Sequence, residues 1–417
     1  MGRAGRGADL SDPLAATRAA PAAQPLEGVV VIDFSQVMAG PYCTRLLAEM
    51  GAEVVKIEPP GGEAVRHRAP LYRGRSRYFG QLNAGKRSAV LDLTHEGGRE
   101  AARALVAEAD VLVENFRPGV MLRLGLAPRA CRSTNPGLVY CSISGYGHEG
   151  RPDAQRPAVA AVVHAESGYD LAVLSYQREH ADPAATGVFV ADVLAGALAL
   201  GGILAALRRR DRTGEGAHVD IALTDAMLSL LVEEIQTAQS DTPIAPPYRP
   251  VRTSDGFLMV GAFSPRHVVA LAELLELPEL AQDARFSGPR LRGHLGALLD
   301  LVETWTARHS TAEAEAAIRA NGVPCSRYRT AKDQLDDEAL RSRGVLRTAR
   351  DAAGAFTIVA SAIRFAGEAA PPEAFDVHDL GTHTRDVLER LAVYEPARID
   401  DLIARSAASD QRTKEFS

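Results

Sequence analysis

The sequence predicts an α/β fold: a large, doubly wound, Rossmann-like domain accompanied by a smaller α+β domain. Three observations lead there. Short β-type apolar runs alternate with helical spacing over the first half of the chain. A complete strand–turn–helix–strand unit opens that series, and a Pro-rich break at Pro243–Pro250 ends it.

The opening unit spans Leu26 to Glu58. Its parts are an apolar run (Val29–Phe34), a polar turn with Gly and Pro (Ser35–Pro41), a short amphipathic helix pattern and a second apolar run (Val54–Ile57). In such units ligands bind beyond the carboxyl ends of the strands, where free helix N–H groups favour anions. The turn at Ser35–Pro41 is therefore the expected seat of a nucleotide-like ligand.

Ser88–Leu93 reads as the next strand, Gly97–Glu108 as a helix, and Val111–Glu114 and Leu138–Ser144 as further strands. A helix from about Ala191 to Arg210 ends in the basic cluster Arg208–Arg210, which suits a helix C-terminus. A Gly-rich turn (Thr213–Gly216), a strand (His218–Leu223) and a long helix starting near Thr224 follow. Beyond the Pro-rich break come a strand (Gly256–Ala262) and helices at Arg266–Leu275, Gly293–Ala307 and Thr311–Asn321. The Phe356–Phe365 strand and helices at Thr384–Val393 and Ala397–Ser406 are expected to return to the large domain. The expected divisions are a disordered tail (1–25), the large domain (26–235), the small domain (236–352) and the return segment (353–417). No internal repeat is visible.

Composition narrows the classes. With 46% hydrophobic and 24% charged residues the chain has the mix of a soluble globular protein. A net charge of −6 gives no general attraction to nucleic acid. The four cysteines (Cys43, Cys131, Cys141, Cys325) show neither CxxC pairing nor metal-ligand spacing, so reduced thiols in the cytoplasm are expected, with no metal. The first 25 residues lack the apolar stretch of a secretory signal. Their Arg and Ala content imitates an organelle transit peptide, against which Asp9 and Asp12 count. Val188–Leu207 is long enough to cross a bilayer, but it carries Asp192 and many Ala and Gly residues and has no companion segment. A buried core helix, with no membrane partner, is the expectation.

Several motifs go further. Asn83–Ser88 (NAGKRS), Asp110–Gly119 (DVLVENFRPG), Ser142–Gly147 (SISGYG), Arg212–Gly216 (RTGEG) with Val219-Asp220 and Asp225-Ala226, and Leu380–Thr384 (LGTHT) stand in order along the chain. With the opening unit they resemble the family III CoA-transferases of the CaiB/BaiF type. That group includes formyl-CoA transferase, carnitine CoA-transferase and α-methylacyl-CoA racemase. The resemblance implies an enzyme acting on acyl-CoA and a small carboxylic acid, with coenzyme A as substrate and no prosthetic group. It also implies a homodimer of two interlocked rings.

The family's nucleophilic aspartate falls on Asp192, in Val190-Ala-Asp-Val193. The resemblance implies that its carboxylate attacks the donor thioester, giving an acyl-aspartyl anhydride and then an aspartyl-CoA thioester. A helix N-terminus there is expected to keep the carboxylate ionised. Read without the family, Asp192 is an ordinary helix N-cap.

Racemases of the family pair this Asp with a His upstream, in a triplet that here reads Ala158, Val159 and Ala160. Proton removal and return need two groups on opposite faces, so this loss argues against racemisation. His164 and Glu166 lie downstream; in a helix, position 164 turns away from 159. Gly168-Tyr-Asp170 repeats a family string about ten residues late and reads as coincidence.

For CoA, the resemblance puts Val37, Met38 and Ala39 at the pantetheine and thioester end, and Asn115, Phe116, Arg117 and Arg123 near the adenosine diphosphate. Lys86 is a further basic candidate for the phosphates. Met38, where formyl-CoA transferase-like members carry Gln, and the Val159–Val163 run suggest a larger or branched acyl group. The Gly-rich loop of formyl-CoA transferase has no equivalent between Gln239 and Pro250. Three readings stand at this point: CoA-transferase, α-methylacyl-CoA epimerase or isomerase, and non-catalytic CoA-binding homologue.

Overall fold

The computed structural model describes residues 24–148, 152–177, 182–183, 187–240, 248–262, 264–365 and 374–410. Nearly all of the expected tail, and residues 241–247 of the Gln239–Pro250 segment, lie outside the described residues.

Six strands form a parallel sheet: β1 (Val30–Asp33), β2 (Glu53–Glu58), β3 (Arg87–Leu91), β4 (Val111–Glu114), β5 (Val139–Ser144) and β6 (Ala217–Ala222). β4 and β5 are buried along their whole length, as strands covered on both faces must be. The strand order is β3-β2-β1-β4-β5-β6, the doubly wound arrangement, with its switch point between β1 and β4.

On one face lie α1 (Ala39–Glu49) and the long α6 (Val190–Thr213), through Cys43, Leu47, Ala195 and Ala199; α4 (Pro128–Thr134) and α5 (Ala160–Ser167) precede α6 in the chain. The other face is covered by α3 (Glu96–Ala107), α12 (Thr384–Arg390) and α13 (Pro396–Ala404), through Leu105, Val387 and Ile399. A two-residue strand with no signal in the sequence, β13 (Ala408–Ser409), pairs antiparallel with β3 and takes that edge of the sheet.

A separate core surrounds β7 (Pro250–Arg252), β8 (Phe257–Val260) and β9 (Cys325–Arg327). It is closed by α9 (Pro265–Leu274), α10 (Arg290–Thr306) and α11 (Thr311–Ala320).

Three expectations change. The long helix from Thr224 is two short ones, α7 (Leu223–Leu228) and α8 (Val232–Thr237). Leu231 leaves helical geometry between them (φ −86°, ψ 47°) and buries its side chain. The Phe356–Phe365 segment does not join the main sheet. It gives β11 (Gly354–Val359), which forms a small sheet with β10 (Leu346–Asp351) and β12 (Ala374–Asp376). That sheet packs Ala349, Ile358 and Phe375 on Ala84, beside α2 (Arg77–Asn83). The division expected at 352–353 therefore cuts the turn of the β10–β11 hairpin. Finally, α6 is core on one face only: Ala191, Ala195 and Ile203 are buried, while Leu198, Gly201 and Ala205 are exposed.

Candidate active site

At the switch point β1 and β4 release the chain side by side. Asn115, the first residue after β4, clamps the loop after β1: its Oδ1 accepts the Gln36 N–H (2.7 Å) and its Nδ2 donates to the Gln36 carbonyl (2.8 Å). Glu63 accepts the Val37 N–H at 3.1 Å. These bonds hold Val37 at φ +66°, which costs a β-branched residue about 1–2 kcal/mol. The strained turn leaves the Val37 side chain 45% exposed and starts α1 at Ala39.

Beneath this loop lies a buried charge cluster. Asp33 accepts from the Ser35 N–H (2.9 Å), the Thr44 hydroxyl (2.7 Å) and Lys86 Nζ (3.1 Å). Lys86 also donates to the Pro41 carbonyl (3.0 Å) and Asn83 Oδ1 (2.8 Å). Burial raises the Asp33 carboxyl, but Lys86, Lys56 and two hydroxyls together hold it at about 2. Burial pushes Lys86 down to about 8 against the pull of Asp33. Lys86 was expected at the CoA phosphates; buried, with three acceptors around its three N–H bonds, it cannot reach them.

Asp192 is the third residue of α6 and faces a cavity of about 420 Å³. Val37, Met38, Ala39, Asn115, Val159 and Phe189 line the cavity with it. The N-termini of α1 and α6 meet at this carboxylate, which interacts with the Ala39 N–H and its own N–H. Desolvation outweighs both donors and raises its pKa from 3.8 to about 6. Burial thus outweighs the helix end in setting this pKa, although a carboxyl at about 6 is still mostly ionised at neutral pH.

The close approach of the two helices depends on Gly196, one turn after Asp192. A Cβ there would lie 2.5 Å from the Ala39 carbonyl oxygen. Gly196→Ala gains about 1 kcal/mol of helix propensity. Against that, a contact this short with backbone forces the helices apart, at about 1–3 kcal/mol. The expected result is a lower melting temperature and at least a tenfold loss of turnover, read by thermal unfolding and initial rates.

Ala158, Val159 and Ala160 line the cavity and offer no acid or base. His164 is fully buried and does not line it. Its Nε2 accepts the Ala191 N–H at 3.1 Å, so it holds the start of α6 rather than meeting substrate, and burial lowers its pKa. Glu166 accepts from the Tyr146 hydroxyl (2.9 Å) and Arg156 (2.5 Å).

Phe116 lines a second, more apolar cavity of about 230 Å³ at the ends of β1, β2 and β3, with Ile57, Leu91 and Val120. Arg117 and Arg123 are exposed on the chain bordering it and line neither cavity. A larger cavity, about 520 Å³, contains Arg66 and Arg75, but these already pair with Glu58 and Asp379. Chemistry, not size, selects the Asp192 cavity.

Two cavity residues had no signal in the sequence. The Arg68 guanidinium lies over the rings of Tyr78 (4.4 Å) and Phe189 (5.3 Å). The Tyr78 hydroxyl is buried and has no hydrogen-bond partner among the described residues.

A family model described as CoA-transferase family III matches residues 26–384, and the chain belongs to that family. Succinyl-CoA:mesaconate CoA-transferase from Haloarcula hispanica is 34% identical over 88% of this chain and 96% of its own length. A probable fatty acyl-CoA transferase, Rv3272 from Mycobacterium tuberculosis, is 32% identical over 82% of this chain and 92% of its own. The crystal structure of a CaiB/BaiF family protein from Brucella suis superposes with a TM-score of 0.75 at 31% identity, covering 88% of this chain and 99% of that one. The protein is accordingly a CoA-transferase whose substrates are CoA thioesters.

Proposed function

We propose that this enzyme moves CoA from an acyl-CoA donor to a carboxylic acid through covalent intermediates on Asp192. The observation that carries the reading is a half-buried carboxylate at the meeting of two helix N-termini, facing a cavity. A carboxylate oxygen of Asp192 attacks the thioester carbonyl; the C–S bond breaks and CoA leaves as thiolate, giving a mixed anhydride. The thiolate then attacks the Asp192 carbonyl carbon, and the donor acid departs as carboxylate. The acceptor carboxylate attacks the resulting aspartyl-CoA thioester, releasing the thiolate again. That thiolate takes the acceptor acyl group and restores Asp192, with no net proton consumed. In this reading the Ala39 N–H at the start of α1, which bonds the Asp192 carboxylate, would stabilise developing oxyanions.

In this reading Val37, Met38 and Ala39 meet the pantetheine arm and thioester. The adenosine occupies the cavity beside Phe116, Asn115 keeps its loop in place, and Arg117 and Arg123 close on the phosphates from the rim. The enzyme acts in the cytoplasm as an interlocked homodimer, whose partner would cover the exposed apolar residues Leu198, Leu228, Val232 and Ile235. Racemisation is disfavoured because Val159 stands at the cavity where a second acid or base is needed, and His164 points elsewhere.

The test is incubation with acyl-CoAs and hydroxylamine in deuterated water. A hydroxamate at Asp192 without deuterium at the acyl α-carbon is expected; deuterium without the adduct would instead mean proton transfer. The rate should also depend on pH. The nucleophile must be ionised, so kcat/KM is expected to rise tenfold per pH unit below about 6 and level off above it. A flat profile down to pH 5 would exclude the raised carboxyl.

A further inference from the structure

We propose that Arg68 and the Tyr78 hydroxyl hold the distal carboxylate of a dicarboxylic acyl group carried on Asp192. This rests on the reading of Asp192 as the acyl acceptor and names the substrate class of the same site.

Apart from Asn115, Ser144 and Asp192 itself, the cavity around Arg68 and Tyr78 is lined by apolar side chains and Gly145. A simple alkyl acyl chain needs nothing more than such a lining. Arg68 and Tyr78 are different: each presents hydrogen-bond donors. Among the described residues the exposed Arg68 enters no ion pair, and the Tyr78 hydroxyl is buried with no acceptor. Leaving a buried hydroxyl unpaired is unfavourable, and an alkyl chain would leave it so and offer nothing to the exposed Arg68 guanidinium. A second carboxylate brings two oxygens able to take the Arg68 fork and the Tyr78 O–H together.

The cation is also held ready. Arg68 stacks on Tyr78 and Phe189, which fixes its plane before any ligand arrives. Phe189 immediately precedes α6, so the platform under Arg68 and the carboxylate of Asp192 belong to one short stretch of chain. Donor and acceptor form the same kind of anhydride on Asp192, so one receptor serves both. Both acids are then short diacids.

The experiment compares succinyl-CoA with butyryl-CoA, which share a four-carbon chain and differ in the distal carboxylate. The readout is kcat/KM for hydroxylamine-dependent CoA release by the full chain. The native enzyme is expected to prefer succinyl-CoA. Arg68→Ala should lower its kcat/KM about 100-fold or more while changing butyryl-CoA by less than about threefold. Tyr78→Phe should lower succinyl-CoA turnover about tenfold, with the same selectivity. Arg68→Lys, which keeps the charge, should recover part of the loss. Equal losses for both thioesters would mean that Arg68 is structural or holds CoA, and would overturn the proposal. So would a native preference for butyryl-CoA with Asp192 still labelled. Absence of any Asp192 adduct from either thioester overturns the transferase reading, and this inference with it.

Discussion

Asp192→Asn is expected to lower CoA transfer by at least about 10⁴-fold and to abolish the hydroxylamine-trapped adduct. The amide keeps the shape and accepts the Ala39 N–H, but its oxygen is not a nucleophile for a thioester. CoA affinity, measured by calorimetry, should stay within a few-fold because no CoA contact is removed. The same variant should be more stable than the native enzyme at neutral pH. The sign follows from the raised pKa of about 6, against an ordinary 3.8. Between those values the unfolded chain releases a proton that the folded chain retains, so ionisation opposes folding. That penalty is complete above about pH 6 and absent below about pH 4. Removing it should stabilise the fold by about 1–3 kcal/mol at pH 7, and the gain should vanish as pH falls below 4. A variant that retains turnover would remove Asp192 from the chemistry; one that loses both turnover and stability would assign it a structural role.

Much of this arrangement was legible because it is local. The parallel strands are short apolar runs whose type does not depend on distant residues, and each expected strand of the main sheet lies within a residue or two of its place. Asp192 was legible through its motif, and the turn at Ser35–Pro41 through its composition. What failed were judgements of burial and pairing. Lys86 looks like any loop lysine until the fold brings Asp33, Pro41 and Asn83 around it. The Asp192 pKa follows from how much water two helices and a cavity exclude, which no spacing encodes. The apolar acyl neighbourhood inferred from Met38 and Val159 was incomplete for the same reason. Arg68 comes from a different loop, and only its stacking on Tyr78 and Phe189 brings a cation into that cavity. The Phe356–Phe365 segment was recognisable as a strand, but its partner was not, since pairing depends on which sheet edges are already taken.

Lys86→Met separates the two roles this lysine has been given. If Lys86 held a CoA phosphate, its loss would raise KM for acyl-CoA and leave the melting temperature unchanged. The buried cluster predicts the reverse. The methionine fills much the same space but leaves Asp33 without its direct ion-pair partner, and the Pro41 carbonyl and Asn83 Oδ1 without a donor. Breaking one side of a buried pair costs about 3–5 kcal/mol, which calorimetric or denaturant unfolding would register. Asp33 now contributes stability above its ordinary 3.8, lost only as pH falls toward about 2; without Lys86 its pKa rises, so acid unfolding should begin at higher pH. Turnover should fall as well, because Asp33 ties Ser35, in the loop that leads to the cavity, to Thr44 of α1. Adding Asp33→Asn should return part of the lost stability, since a neutral amide needs no counter-ion. A double variant as unstable as the single one would mean that the lysine acts through packing, not through its charge.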